Sequence, residues 1–160
     1  MKTLNIREAV AEDSPLILRF IQELATFERA EHEVIAGVDT IRESLFGKNS
    51  TVKALVCSFA DQPIGYAVYF YNYSTWQGRK GLYLEDLYVS PEHRGGGVGK
   101  EFLKYIAKKA VSEGCGRFEW SVLDWNEPAI KFYQSIGATP KTEWVCYQLA
   151  GEALHQFSES

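Results

Sequence analysis

The stretch that decides the fold is LEDLYVSPEHRGGGVGK, residues 84–100. It starts as an apolar strand and ends in a run that has four glycines within positions 95–99. Apolar side chains then recur at helical spacing, at Val98, Phe102, Tyr105 and Ile106. A strand that leads through a glycine loop into a helix indicates an anion-binding turn, because the first N–H groups of a helix lack partners within it and the helix dipole favours a negative charge there.

The charge around this loop fits a phosphate-bearing ligand. Residues 91–110 hold five Lys or Arg against two Glu, although the whole chain has a net charge of −4. Two common nucleotide loops do not match. A Walker A loop needs glycine at Arg94 and Ser or Thr at Glu101, and a dinucleotide loop needs its third glycine at Lys100 or Phe102. A flexible surface turn that binds nothing, or an unrelated phosphate-binding module, remains the alternative.

The order of elements predicts a single domain, residues 1–160, of the α/β sandwich class. Helices are expected from Asp13-Ser14-Pro15 onward, over Val38–Phe46, from the glycine loop to about Ser112, and from Glu127-Pro128 to Gly137. Strands are expected at Thr3–Arg7, Thr51–Phe59, Ile64–Tyr73, Gly81–Val89, Arg117–Leu123 and Glu143–Leu149, with a turn at Asp61-Gln62-Pro63. We expect one mixed, mostly antiparallel sheet of six to seven strands with helices on both faces.

Composition narrows the function classes. Hydrophobic residues make up 46% of the chain and charged residues 24%, as in soluble globular domains. An acidic chain lacks the broad basic surface that non-specific nucleic-acid binding requires. The three cysteines show no CxxC spacing and the three histidines no metal-ligand spacing, so we expect free thiols, surface histidines and no metal. No apolar run reaches membrane-spanning length, and we expect a cytoplasmic protein without a membrane or nucleic-acid partner.

Four segments carry a resemblance to a known family. Arg94–Gly99 fits the pattern (Gln/Arg)-x-x-Gly-x-(Gly/Ala), by which the chain resembles the GNAT superfamily of N-acetyltransferases. Leu84–Val89, Trp125–Tyr133 with Gly137-Ala138, and Ile21–Glu28 are similar to its spermidine/spermine and thialysine acetyltransferase branch. The likeness spans nearly the whole chain.

The resemblance implies acetyl-CoA as co-substrate and no metal. The cofactor-binding positions of the family fall on the glycine loop, on the strand before it and on the start of a later helix. In this chain they are Arg94, Gly95, Gly96, Gly97, Val98, Gly99 and Lys100 for the pyrophosphate, Leu87, Tyr88 and Val89 for the pantetheine, and Asn126, Glu127, Pro128 and Ala129 for the thioester end.

The resemblance also implies the acceptor side of the site. Tyr133 matches the general acid, and Glu85 matches a carboxylate that faces the amine. The positions of the polyamine pocket fall on Phe27, Glu28, Glu119, Trp120, Ser121 and Glu143. A homodimer is expected, with Glu143–Leu149 pairing with or crossing to the partner.

The residues themselves support only part of these roles. Glu85 alternates with Tyr83, Leu87 and Val89, so it lies on an otherwise apolar face, where a carboxylate is costly unless it has a partner. A salt bridge or a solvent-facing edge remains an alternative for it. Ile130, Tyr133 and Ile136 share one helix face, and that spacing alone favours a core tyrosine.

We therefore expect an N-acetyltransferase that moves acetyl from acetyl-CoA to a primary amine of a small cationic molecule. A polyamine or a lysine-like amine is the expected acceptor, attacked directly in a ternary complex. Two alternatives stay open: a non-catalytic acyl-CoA-binding or regulatory domain on the same fold, and an acetyltransferase for an aminoglycoside, an amino-acid analogue or a protein N-terminus.

Overall fold

The computed structural model describes residues 3–160, which form two compact units: the residues up to Ser121 and those from Val122 onward. The α-helices are α1 (Ser14–Phe27), α2 (Val38–Phe46), α3 (Val98–Ser112), α4 (Glu127–Ser135) and α5 (Gly151–Glu159). The strands are β1 (Leu4–Glu8), β2 (Val52–Phe59), β3 (Gln62–Ser74), β4 (Arg79–Val89) and β5 (Phe118–Trp120). The first unit holds all five strands with α1 to α3, and the second holds α4 and α5.

The sheet contains its strands in chain order, from β1 to β5. Neighbours are antiparallel from β1 through β4, and β5 lies parallel to β4. The predicted class, a mixed and mostly antiparallel sheet combined with helices, is confirmed. Within residues 3–160 the sheet has five strands rather than the six to seven predicted.

Helices cover both faces of the central strands. Ile17 and Phe20 of α1 and Ile41 of α2 pack with Tyr66 and Tyr88 of the sheet in one buried cluster. On β2 the consecutive residues 54–57 are all buried, which shows that the opposite face is covered as well. That second face carries α3, whose Phe102, Leu103, Ile106 and Ala110 are buried. No helix within residues 3–160 combines the length and apolarity needed to cross a bilayer.

The hairpin between β2 and β3 is tighter than predicted. Phe59 pairs with Gln62, so the connection has only two residues, Ala60 and Asp61. Both residues adopt positive φ, +49° and +64°. Positive φ at both positions is typical of the two-residue hairpin turn whose backbone twist matches that of the strands. The turn thus comes one residue earlier than the predicted Asp61-Gln62-Pro63, and β3 starts at Gln62.

Helix α1 starts where it was predicted, but the Asp13 carboxylate directly before it does not cap the helix. Asp13 makes no capping hydrogen bond to α1. It accepts bonds from Arg7 Nη1 and Nη2 at 2.7 and 2.9 Å and from the Val10 N–H at 2.8 Å. Arg7 thereby lowers the pKa of Asp13 and ties β1 to the helix entry.

Two predictions for the end of the chain are wrong. The segment Glu143–Leu149 is irregular rather than a strand, and the strand expected at Arg117–Leu123 is limited to β5. A strand requires a hydrogen-bonding neighbour, and the unit that contains residues 143–149 has no strand within the described chain. Gly151–Glu159 forms α5, a helix that the sequence analysis does not predict.

Candidate functional site

The open edge of β4 begins where β5 stops pairing with it. β5 pairs with β4 only at Leu82–Leu84, whereas β3 pairs with β4 as far as Val89. The Ser90 N–H donates to the Ile64 carbonyl of β3 at 2.7 Å. The Val89 carbonyl shares that peptide unit and therefore points away from β3. Within the described residues no strand pairs with this edge beyond Leu84, so it can pair with an extended, amide-bearing ligand.

Glu85 lies at an irregularity of the ladder between β3 and β4. Val68 pairs with Asp86 and Tyr69 pairs with Leu84, which leaves Glu85 without a partner on β3. The extra residue is a β-bulge, and bulges redirect side chains and are frequent beside active sites. The regular alternation that the sequence suggested for Glu85 is interrupted at this residue.

Three acids form what we call the carboxylate cluster: Glu28, directly after α1, with Glu85 and Asp86 on β4. Burial raises the pKa of Glu28 and of Glu85, and the negative charge of Asp86 raises both further. Burial also raises the pKa of Asp86, while a hydrogen bond from Tyr66 opposes that rise. None of the ion pairs found in residues 3–160 includes these acids. A cationic ligand would offset their mutual repulsion and their desolvation.

Asp86 is a candidate site residue that the sequence analysis does not identify. Its carboxylate accepts a hydrogen bond from the Tyr66 hydroxyl at 2.7 Å. The sequence contains a signal for it, because Asp86 alternates with the apolar residues Leu84 and Tyr88, and the structure shows that both are buried. The argument applied to Glu85, that a carboxylate on an apolar strand face is costly without a partner, holds equally for Asp86.

The glycine loop leaves room for a ligand in front of α3. Gly95 and Gly97 adopt positive φ, +80° and +85°, in a region that side-chain-bearing residues rarely occupy. A Cβ added at any of the four loop glycines would meet no protein atom within 4 Å. The first N–H groups of the helix, which starts at Val98, have no partner within it. This geometry fits the predicted pyrophosphate site, whose residue assignments remain predictions.

Arg94 fastens the loop to the surrounding structure. Its Nε donates to the Val89 carbonyl on the open edge of β4 at 2.7 Å. Its guanidinium lies 5.0 Å from the Phe27 ring centroid and 5.4 Å from that of Tyr88. Cation–π contacts at these distances stabilise the arrangement. Arg94 therefore connects the loop with the end of α1, where Phe27 and Glu28 were predicted to contact the acceptor.

The predicted pocket residues around β5 have partners within the first unit. Glu119 accepts a hydrogen bond from Asn72 at 3.1 Å and pairs with Arg117 at 2.8 Å. The Trp120 ring packs against Phe118, with 4.9 Å between the centroids. The Ser121 hydroxyl lies 2.6 Å from that of Tyr83. The Glu119 carboxylate is thus less available to a ligand than those of the carboxylate cluster.

The remaining predicted residues lie in the second unit. The Asn126 side chain accepts a bond from the Ala129 N–H at 3.5 Å, so Asn126, Glu127, Pro128 and Ala129 form the first turn of α4. Burial raises the pKa of Tyr133, which keeps its hydroxyl protonated, as a proton donor requires. Glu143 is exposed, and a bond from its own backbone N–H together with Lys141 at 3.2 Å lowers its pKa.

No group of three or more His, Cys, Asp or Glu within residues 3–160 is arranged to hold a metal ion. His93, predicted as a surface residue, is half-buried and lies against Phe59, with ring centroids 5.9 Å apart.

Comparison with known proteins gives a consistent result. Residues 18–138 match the sequence model of the acetyltransferase (GNAT) family. The chain is 38% identical to the thialysine N-epsilon-acetyltransferase of Mus musculus, with 99% of both proteins covered. It is 36% identical to the spermidine/spermine N(1)-acetyltransferase-like protein 1 of Homo sapiens, over 86% of this chain and 21% of that protein. An integron cassette protein from the mobile metagenome of V. cholerae superposes with a TM-score of 0.83 at 26% identity, over the full length of both chains.

We expect Gly97→Val to weaken CoA binding by about ten-fold or more, because a branched side chain would occupy the open space and force the loop out of its positive-φ conformation. Gly78→Val is the matched control, since Gly78 also has positive φ, +61°, with no atom within 4 Å, but lies in the β3–β4 hairpin. Isothermal titration calorimetry measures both affinities. Equal CoA affinity in the two variants would show that the glycine loop does not contact CoA.

Proposed function

This chain belongs to the acetyltransferase (GNAT) family and is an acetyl-transferring enzyme, and we propose that its acceptor is a primary amine on a small molecule with at least two positive charges. The observation that carries the proposal is the carboxylate cluster of Glu28, Glu85 and Asp86. Its acids have raised pKa values, share no ion pair with a residue in 3–160, and lie on or beside the strand whose edge is open.

The relatives support the same class of acceptor. One is named for thialysine and another for spermidine and spermine, and all three molecules carry several amino groups. A lysine-like amine or a polyamine can place one ammonium in the carboxylate cluster while a second amine faces the thioester. Multiple carboxylates also raise the local concentration of a cation, which favours its capture.

In the reaction we propose, the protein supplies position and proton transfer, while the cofactor supplies the acetyl group. The glycine loop holds the pyrophosphate, and the open edge of β4 at Leu87–Val89 pairs with the pantetheine. The amine has a pKa near 10 and must lose a proton before it can attack. Glu85 is the base, directly or through one water, and its raised pKa brings it closer to that of the amine.

The amine nitrogen then bonds to the carbonyl carbon and the C–S bond breaks. The Val89 carbonyl points to the open edge of β4, and in an extended strand the N–H of the same residue points to the same side. We propose that this N–H stabilises the oxyanion. CoA leaves as a thiolate, which takes a proton from the Tyr133 hydroxyl. The attacking nitrogen gives up its second proton, which restores that hydroxyl and leaves a neutral amide product. No covalent enzyme intermediate and no metal take part in this scheme.

We propose further that the two units together make up one acetyltransferase domain and that the enzyme is a homodimer in the cytoplasm. The sequence Glu143–Leu149 has strand-forming residues, and its Val145 and Tyr147 are 75% and 94% exposed. A partner that pairs with this segment would cover such apolar side chains. The free thiols of Cys57, Cys115 and Cys146 fit a reducing compartment.

The proposed function is tested by free-thiol release from acetyl-CoA with a panel of acceptors: thialysine, lysine, spermidine, spermine, putrescine, an aminoglycoside and a peptide N-terminus. We expect turnover with thialysine or a polyamine, because these present a second ammonium to the carboxylate cluster. Turnover restricted to the peptide would contradict the acceptor class. CoA binding without turnover of any acceptor would indicate a binding domain.

The carboxylate cluster makes acceptor binding pH-dependent. Because the pKa values of Glu28 and Glu85 are raised, these acids lose their charge as pH falls through values above the ordinary carboxyl range of about 4. We expect KM for the amine to rise over that interval. Glu28→Gln should raise KM about ten-fold at neutral pH and flatten its pH dependence. Glu31→Gln, an exposed acid of the same connection, is the control, and equal effects of the two substitutions would sink this assignment.

Tyr133→Phe removes only the proposed proton donor. We expect kcat to fall about ten-fold or more, while CoA affinity stays within about two-fold of the original value. Tyr73→Phe, at an exposed tyrosine of β3, should leave both unchanged. Steady-state kinetics with the best acceptor and calorimetry with CoA give the comparison, and unchanged turnover in Tyr133→Phe would rule out the general-acid role.

A further inference from the structure

One buried polar group, the hydroxyl of Tyr66, is not used in the scheme above. Tyr66 lies on β3 and is fully buried, and its hydroxyl donates to Asp86 Oδ2 at 2.7 Å. Its ring stacks on Phe20 with 5.9 Å between centroids and 10° between planes, and it lies 6.4 Å from the ring of Tyr88. A fully buried side chain packed against two other rings has little freedom to turn, so the hydroxyl is fixed where it donates to Asp86.

Asp86 depends on that donor more than an exposed acid would. Burial penalises its charged form, and the Tyr66 hydrogen bond is the interaction that favours it. The groups that face Asp86 are Tyr66 from β3, Glu85 from its own strand and Glu28 from the segment after α1. Next to them, Tyr88 donates to Glu23 at 2.6 Å and lies against the Arg94 guanidinium. Two of the three groups that face Asp86 are acids, and the charge of Asp86 raises the pKa of both.

We propose that Tyr66 is a positioning residue for the acceptor amine: its fixed hydroxyl orients Asp86 and keeps it ionised beside Glu28 and Glu85. The inference rests on the proposed function, since it assigns Asp86 to the site that receives the cation. It adds a residue that touches neither the acceptor nor CoA in the scheme and that acts through Asp86.

The expected effect of Tyr66→Phe has two parts. Without the donor, Asp86 takes up a proton at higher pH, so it is less charged at neutral pH and binds the cation less well. The loss of that charge also lowers the pKa of Glu85 and Glu28, because Asp86 raises both in the intact protein. We expect KM for the amine to rise about five-fold near neutral pH and to approach the original value in alkaline solution, with kcat changed less than about three-fold.

Two controls separate this role from packing. Tyr69→Phe removes another fully buried hydroxyl on the same strand, but one that Lys109 and Glu113 influence rather than Asp86. It should give no pH-dependent change in KM. In an Asp86→Asn background, Tyr66→Phe should have little further effect on KM, because residue 86 then has no charge for the Tyr66 hydroxyl to stabilise. Additive effects, or equal changes in Tyr66→Phe and Tyr69→Phe, would overturn the proposal.

A direct readout does not require turnover. The carboxyl carbons of ¹³C-labelled aspartate are titrated by NMR, and Asp86→Asn identifies the Asp86 signal. We expect the titration midpoint of Asp86 to move to higher pH in Tyr66→Phe and to stay in place in Tyr69→Phe. An unchanged midpoint would contradict the inference even if the amine panel succeeds. A shifted midpoint without turnover of any amine would support the Tyr66–Asp86 link and place the failure in the proposed function.

Discussion

Repulsion among three carboxylates is the constraint on which this site depends. Glu85 and Asp86 are adjacent on β4, and the charge of Asp86 makes both Glu85 and Glu28, which directly follows α1, harder to ionise. Such a cluster costs free energy in the empty protein, and a cation that binds there relieves the cost. In the proposed scheme the same three acids bind the charged amine and include the carboxylate that accepts its proton. Recognition and catalysis would then use one local arrangement.

The sheet supports that arrangement in two ways. The β-bulge at Glu85 breaks the ladder with β3, and pairing with β5 ends one residue earlier, at Leu84. The acidic side chains and the backbone groups that no strand of the described chain pairs with thus lie on the same short part of β4. The stacked rings of Phe20 and Tyr66 connect the neighbouring strand β3 to α1, and Arg94 connects α1 to the glycine loop. The glycine loop and the acids are connected through packed aromatic rings of the first unit.

Much of the local structure could be predicted from the sequence, since it follows from local signals. The helix over Val38–Phe46, the start of α4 at Glu127-Pro128 and the C-terminal Gly137, with φ of +86°, are all observed. The bulge at Glu85 could not be predicted, because register depends on which residues of β3 oppose β4. The irregular course of Glu143–Leu149 could not be predicted either, because strand formation needs a neighbour that propensity does not reveal. Asp86 was missed for a simpler reason: the family pattern directed attention to Glu85, although the burial argument applied to both.

The measurement that tests the central claim most directly is the proton balance of acceptor binding. Calorimetric titration of thialysine or spermidine into the CoA-loaded enzyme, at mildly acidic pH and in two buffers of different ionisation enthalpy, reports how many protons leave the protein. If the carboxylate cluster is the amine site, binding of the cation ionises partly protonated acids, and the account predicts proton release that is smaller in Asp86→Asn. Heats of binding that do not depend on the buffer, in a titration that shows saturable binding, would contradict it.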